Sequence, residues 1–269
     1  MVEFGYINYQ NSMESTENQT VQNEVNTPVT KEVKKEFINI RPLLKESWGF
    51  VKKHANIVAW YVGVLTLISA LTSDVTIDLV SNTAFAPLLA IGVFVTTIFV
   101  IINSWAMMHV VSQEPDVVLN YKISFDWAAK NFFPLIWTSV AAFFAILFGY
   151  ILLVIPGVIL SVYLYFAIYA NVIDGEVGIK ALKQSYRVVK GHWWNTAWKL
   201  VVLGFYMFVL YIPVALLMGI IIGLLEVFGE STYGIFGAEI ILLGISGGVF
   251  GVMSMYVLAR FYKVLKNLA

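Results

Sequence analysis

The sequence predicts an all-α integral membrane protein, with six transmembrane helices arranged as three parallel hairpin repeats, amphipathic interfacial helices, and both termini cytoplasmic. Three observations carry that prediction: charge-free apolar runs of spanning length, basic residues that all fall on one side of those runs, and an internal repeat. The 269 residues are 59 % hydrophobic and only 13 % charged, against roughly 25 % charged in a soluble average. A hydrocarbon core of about 30 Å needs roughly 20 helical residues to cross it, and the charge-free runs supply six such stretches.

Residues 1–37 are rich in Asn, Glu, Gln, Thr and Ser, with no period that would bury a face, so they are expected to form a disordered cytoplasmic tail. The alternative is a docking segment that orders on a partner, anchored by Phe4, Tyr6, Ile7 and Tyr9. Met1 to Tyr9 lacks a basic segment followed by an apolar run, so no secretory signal is expected, and Val2 stands where N-myristoylation needs Gly.

Residues 38–269 are expected to form the membrane domain. An interfacial helix over 40–54 precedes the first span, about 55–73, and the second span covers about 84–111. Asn131 to Ile173 is a 43-residue stretch without a charge, too long for one helix. Pro156-Gly157 divides it into spans at about 132–154 and 157–173, because proline breaks a helical run. A second interfacial helix over 177–191 leads to spans at about 198–225 and 239–261. Pro213 is expected to kink the fifth span.

Lys and Arg number 7, 0, 2, 0, 5, 0 and 3 in the successive gaps between spans. This alternation has no exception, and basic residues mark cytoplasmic loops. The opposite face carries only acids: Asp74, Asp78, Glu226, Glu230 and Glu239. A formal net charge of +0 therefore hides a strong asymmetry along the membrane normal.

The stretch from Leu44 to Trp60 returns from Leu182 to Trp198, an offset of 138 residues with eight identities in seventeen positions. A weaker copy at offset 77 matches Ser124, Lys130 and Trp137 to Ser47, Lys53 and Trp60. Projected at 100° per residue, both strong copies are two-faced. Ile179, Ala181, Leu182, Ser185, Tyr186, Val188 and Val189 oppose Lys180, Lys183, Gln184, Arg187 and Lys190. In the first copy Leu43, Leu44, Ser47, Trp48, Phe50 and Val51 oppose Lys45, Glu46, Lys52 and Lys53. Such helices are too polar to span and are expected to lie in the interface. The repeating unit is then interfacial helix, span in, span out, related by an axis along the membrane normal. All eight tryptophans fall near cytoplasmic span ends, as in an interfacial aromatic belt.

Composition and spacing bear on function mainly by exclusion. The chain has no cysteine, so no disulfide, thiol nucleophile or cysteine metal site. His54, His109 and His192 would suit zinc only if they converged, and their spacing gives no sign of it, so no metal or other cofactor is expected. Ser47 and His54, and likewise Ser185 and His192, lie two helical turns apart, about 10 Å, too far for a nucleophile and its base. No catalytic residue and no nucleic-acid partner is expected. The polar residues deep in the spans are uncharged: Asn103, Ser104, Thr138, Ser139, Ser161, Asn171 and Ser246. They suit interhelical hydrogen bonds. Gly219 and Gly223 in span five, and Gly244, Gly247, Gly248 and Gly251 in span six, form GxxxG patterns for close helix packing, within one chain because spans five and six adjoin through a short loop, or alternatively in a homodimer.

Lys180, Lys183, Arg187 and Lys190, with Lys45, Lys52 and Lys53 in the first copy, are the candidate contacts for anionic lipid headgroups. The competing reading gives the same charges only the task of orienting the chain. A non-catalytic protein that contacts anionic lipid, and organises membrane or protein partners, is one functional expectation. The alternative is a transporter or permease for a neutral or lipidic solute, with a path near Asn103, Asn171 and Pro213.

Ile155-Pro156-Gly157, followed after a span by Asp174-Gly175, Gly178, Ala181-Leu182, Ser185, Val189-Lys190-Gly191 and Trp193-Trp194, resembles a pattern in a group of uncharacterised prokaryotic membrane proteins. It is similar to the membrane domain attached to some glycerophosphodiester phosphodiesterases and to stand-alone six-span proteins of the YciC type. The resemblance implies a membrane fold in the cytoplasmic membrane of a prokaryote. The sequence runs to Ala269 without a phosphodiesterase domain, so that enzyme's catalysis is not expected here.

Overall fold

The computed structural model describes residues 40–71, 86–113, 120–227 and 232–269. Tail residues 1–37, the acids Asp74, Asp78 and Glu230, and the side chains of Glu226 and Glu239 lie outside what is described. Among the described residues every regular element is a helix: α1 Ile40–Lys53, α2 Ala55–Leu71, α3 Ala86–Ser112, α4 Tyr121–Lys130, α5 Phe132–Leu152, α6 Val154–Leu164, α7 Ala167–Asp174, α8 Ile179–Val189, α9 Trp193–Val227 and α10 Thr232–Lys266.

Five stretches are long and apolar enough to cross a membrane: Ala90–Ser112, Phe132–Leu152, Val154–Asp174, Trp193–Leu224 and Gly244–Lys266. The expected first span is not among them: α2 is described over 17 residues, Ala55–Leu71, with an apolar stretch Ala55–Ile68, and residues 72–73 of the expected span lie outside the described residues.

One expected boundary moves, and a second, unexpected one appears. The division between the third and fourth spans falls at Leu153, which is extended (φ −166°, ψ 152°), and Pro156-Gly157 lies inside the first turn of α6. A proline ring clashes with the carbonyl four residues earlier, here that of Leu152, where α5 ends. In the first turn of α6 the missing N–H has no helical partner to lose. Gly157 then serves packing, since a Cβ there would lie 2.5 Å from the Tyr150 ring. The second boundary is a break at Tyr165-Phe166 that separates α6 from α7 within the expected fourth span. In contrast, α9 runs on through Pro213.

The centre of the bundle is built by α3, α7 and α10. Their buried side chains include Asn103, Met107 and Val110 on α3, Phe166, Ala170 and Asn171 at and in α7, and Val252, Tyr262 and Leu265 on α10. Phe166 packs against Phe261 and Tyr262, with ring centroids 5.7 and 5.9 Å apart. By comparison α9 is peripheral: over Trp193–Leu224 the buried residues are Thr196, Leu203 and Met218, whereas Gly244–Lys266 buries eleven.

The expected partner for the glycines of the last span also changes. A Cβ on Gly244 would lie 2.4 Å from Thr66 Oγ1, and one on Gly248 2.7 Å from Val62, so these glycines admit α2 rather than α9. Cβ atoms at Gly219, Gly223, Gly247 and Gly251 would meet nothing within 4 Å.

Candidate functional site

The helices α1, α4 and α8 each precede a long apolar helix, and each is anchored by a serine. Ser47, Ser124 and Ser185, equivalent in the sequence frame, are all 0 % exposed. Around them α1 buries Leu43 and Val51, α4 buries Ala128, and α8 buries Ala181, Val188 and Val189. Each short helix then turns at an equivalent residue, His54, Asn131 or His192. The carbonyl of that residue accepts the N–H of Val58, Leu135 or Thr196 at 3.1, 3.0 and 2.9 Å, which starts the next helix. Trp60, Trp137 and Trp198, again equivalent, are 61, 59 and 69 % exposed. The weak third copy is therefore a helix with the same buried serine and the same outward tryptophan as the two strong ones. The tryptophans do not all sit on the outside, however: Trp105 is buried and Trp127 stacks on His109 at 4.2 Å.

The candidate headgroup residues occupy the uncovered faces. On α8, Lys180, Lys183, Arg187 and Lys190 are exposed, and so are Lys45, Lys52 and Lys53 on α1. Arg187 donates to Gln184 Oε1 at 3.1 Å, and the Lys52 ammonium lies 5.4 Å from the Trp48 ring. Burial, and then the Lys53 charge, lower the pKa of His54 below its ordinary value. It is therefore neutral near pH 7 and adds no charge to the α1 face.

What holds α8 in place was not legible in the sequence. Gly178 (φ 57°) and Gly175 (φ 72°) take backbone conformations open to glycine. The Gly178 N–H donates to Thr138 Oγ1 at 2.8 Å, and a Cβ on Gly178 would lie 2.5 Å from the Trp137 ring. Asn171 Nδ2 donates to the same Thr138 oxygen at 2.8 Å, so the α7–α8 turn is tied to α5. Ser185 bridges the break between α6 and α7. It donates to the Tyr163 carbonyl at 2.6 Å and accepts the Phe166 N–H at 3.2 Å, satisfying backbone groups that the interrupted helix leaves open.

A polar cavity of about 540 Å³ lies where α3, α7 and α10 end, lined among others by His109, Gln113, Asp174, Lys263 and Lys266. Asp174 accepts from the Tyr262 hydroxyl at 2.5 Å and from Lys266 at 2.7 Å, so its charge is met within the bundle. His109 Nδ1 lies 3.0 Å from Ser124 Oγ and 3.2 Å from Gln113 Nε2.

The three histidines occupy different surroundings: His54 packs on Phe50 at 4.8 Å, His109 on Trp127, and His192 lies beside α6. Among the described residues no group of three or more His, Asp or Glu could hold a metal ion. Asn103, Asn171 and Pro213 are not brought together either. Asn103 is 1 % exposed and accepts from the Tyr121 hydroxyl, Asn171 is fixed on α5, and Pro213 lies on the exposed surface of α9.

No protein-family model matches the chain, and neither a curated protein nor a solved structure does. The functional reading therefore rests on the geometry of the faces and on the sequence pattern.

Proposed function

We propose that the chain is a non-catalytic, multi-pass protein of a prokaryotic cytoplasmic membrane. In this reading α1, α4 and α8 lie on the cytoplasmic surface, each opening a unit of span in and span out. Six spans result, with α2 as the first, and both termini are inside. Its biochemical role is to contact anionic lipid headgroups through Lys180, Lys183, Arg187 and Lys190, aided by Lys45, Lys52 and Lys53, and so to organise lipid or partner proteins. The resemblance to the membrane domain of glycerophosphodiester phosphodiesterases belongs to the same proposal, as a likeness of membrane fold without the enzyme's catalysis.

The observation that carries the reading is the division of α8: Ala181, Ser185, Val188 and Val189 are buried in the bundle while its four cations are exposed. Each lysine or arginine near an anionic surface contributes on the order of 1 kcal/mol, less at high salt. Full-length protein carrying K180Q, K183Q, R187Q and K190Q should lose most bound phosphatidylglycerol in native mass spectrometry. Undiminished phosphatidylglycerol on that variant would remove the binding claim and leave the charges an orienting role alone.

A further inference from the structure

A second feature of α1 and α2 points to a more specific lipid contact. A groove of about 750 Å³ runs between α2 and α10, floored by Ala55, Ala59 and Gly63 and walled by Ile241, Ile245 and Val249. Among its described lining residues Thr66 is the one polar side chain, and its hydroxyl is engaged with the Val62 carbonyl at 2.9 Å. The groove is therefore a hydrocarbon surface with no donor to offer a polar solute. From Ala55 to Leu67 it follows twelve helical steps, about 18 Å at 1.5 Å per residue. That is close to one leaflet of a core roughly 30 Å thick.

Basic residues gather near its α1 end. At the α1 end the groove reaches Val51, which is followed directly by exposed Lys52 and Lys53. On α10 the Tyr256 ring lies 5.1 Å from Phe50 of α1, and the Arg260 guanidinium lies 3.3 Å from the Tyr256 hydroxyl. Glu46, about two turns back along α1, is the one acid of that helix. A hydrocarbon trough whose described lining is about one leaflet deep, with cations near its α1 end, is complementary to a chain carrying an anionic head.

We propose that this groove holds one acyl chain of an anionic glycerophospholipid from the leaflet adjoining α1, with its phosphate against Lys52 and Lys53. The proposal rests on α1 lying at the membrane surface but needs none of the cations of α8. The site would make the first bound lipid a resident one, distinct from the lipid gathered by α8.

The test is titration of delipidated full-length protein in detergent with phosphatidylglycerol or phosphatidylcholine, read by native mass spectrometry. The first lipid equivalent should favour phosphatidylglycerol. A59F with G63F fills the trough, and a side chain at position 63 has open space to enter, since a Cβ there meets nothing within 4 Å. This variant should weaken the first equivalent of both lipids by about tenfold or more. K52Q with K53Q, on an exposed surface, should keep the chain bound and bring the preference for phosphatidylglycerol close to one. Neutralising the four α8 cations should leave the first equivalent unchanged and reduce only the later ones, so the two lipid claims fail separately. The proposal is overturned if A59F/G63F, with unaltered helicity and melting, binds its first phosphatidylglycerol as the parent does. It is equally overturned if filling the groove dissociates a dimer without loss of lipid, which would make a second copy the occupant.

Discussion

Helices α1 and α8 share a sequence frame, yet they are held in different ways. Both bury three positions spaced four residues apart and equivalent at the 138-residue offset, Leu43, Ser47 and Val51 in one and Ala181, Ser185 and Val189 in the other. In α1 the serine hydroxyl turns back to its own helix, donating to the Leu44 carbonyl at 2.8 Å, and packing rests on contacts such as Phe50 against Tyr256. In α8 the equivalent hydroxyl closes a break in a neighbouring helix, and Gly178 and Gln184 add ties to α5 and to Asp174. A repeated sequence thus fixes which positions are buried and leaves open what each buried group does, because that depends on whether the neighbour has unpaired backbone to satisfy.

Substitutions at matched positions sharpen the contrast. The largest difference is expected at the glycines. Gly178→Ala puts a side chain at positive φ against Trp137 and should cost about 3 kcal/mol. Gly49→Ala, in the interior of α1 with nothing within 4 Å of its Cβ, should stabilise by about 0.5–1 kcal/mol through helix propensity. Thermal unfolding in detergent compares the two, and shifts of the same sign would break the comparison.

The serines come next. Ser185→Ala leaves the Phe166 N–H and Tyr163 carbonyl without that partner inside the bundle, a loss of about 2 kcal/mol. Ser47→Ala removes a bond back to a carbonyl of its own helix and should cost about 0.5 kcal/mol or less. Equal melting shifts for the pair would show that the break between α6 and α7 does not depend on α8.

Smaller effects belong to the Asp174 cluster. Tyr262→Phe should cost about 1 kcal/mol by removing a buried donor to the carboxylate. Lys266→Gln should cost no more than about 0.5 kcal/mol, because the lysine side chain is 47 % exposed and its ion pair is screened by solvent. The smallest stability change is expected for the cations of α8 and α1. Converting either set to glutamine should alter stability by less than about 0.5 kcal/mol while reducing anionic lipid on the purified protein. A large melting shift would mean that these charges hold the fold together.

The helical layout was readable because apolar run length and charge position are direct consequences of burying a helix in hydrocarbon. The two-faced pattern of 177–191 likewise marked Ala181, Ser185, Val188 and Val189, which are buried, but it also put Ile179 and Tyr186 on that face, and both are exposed. Pro156 signalled a helix break but was read as the break itself, although a proline acts on the turn before it. The interruption at Tyr165-Phe166 left no signal in an apolar stretch, since it is stabilised by Ser185, 19 residues away in sequence. Gly244 and Gly248 advertised close packing, but the choice of α2 over α9 is a tertiary one that spacing does not encode. The groove between α2 and α10 was invisible for the same reason.

The most direct test of the account asks whether α1 and α8 lie on one face of the membrane. The chain has no cysteine, so single substitutions Lys45→Cys, Lys183→Cys and Val227→Cys can each be labelled with a membrane-impermeant thiol reagent in sealed, oriented vesicles. The continuous α9 puts about 50 Å of helix between its two ends, so Val227 belongs on the side opposite α8. Labelling of positions 45 and 183 from the cytoplasmic side and of position 227 only from the other is the predicted result. Labelling of positions 45 and 183 from opposite sides would contradict the parallel arrangement and the lipid-contacting role built on it.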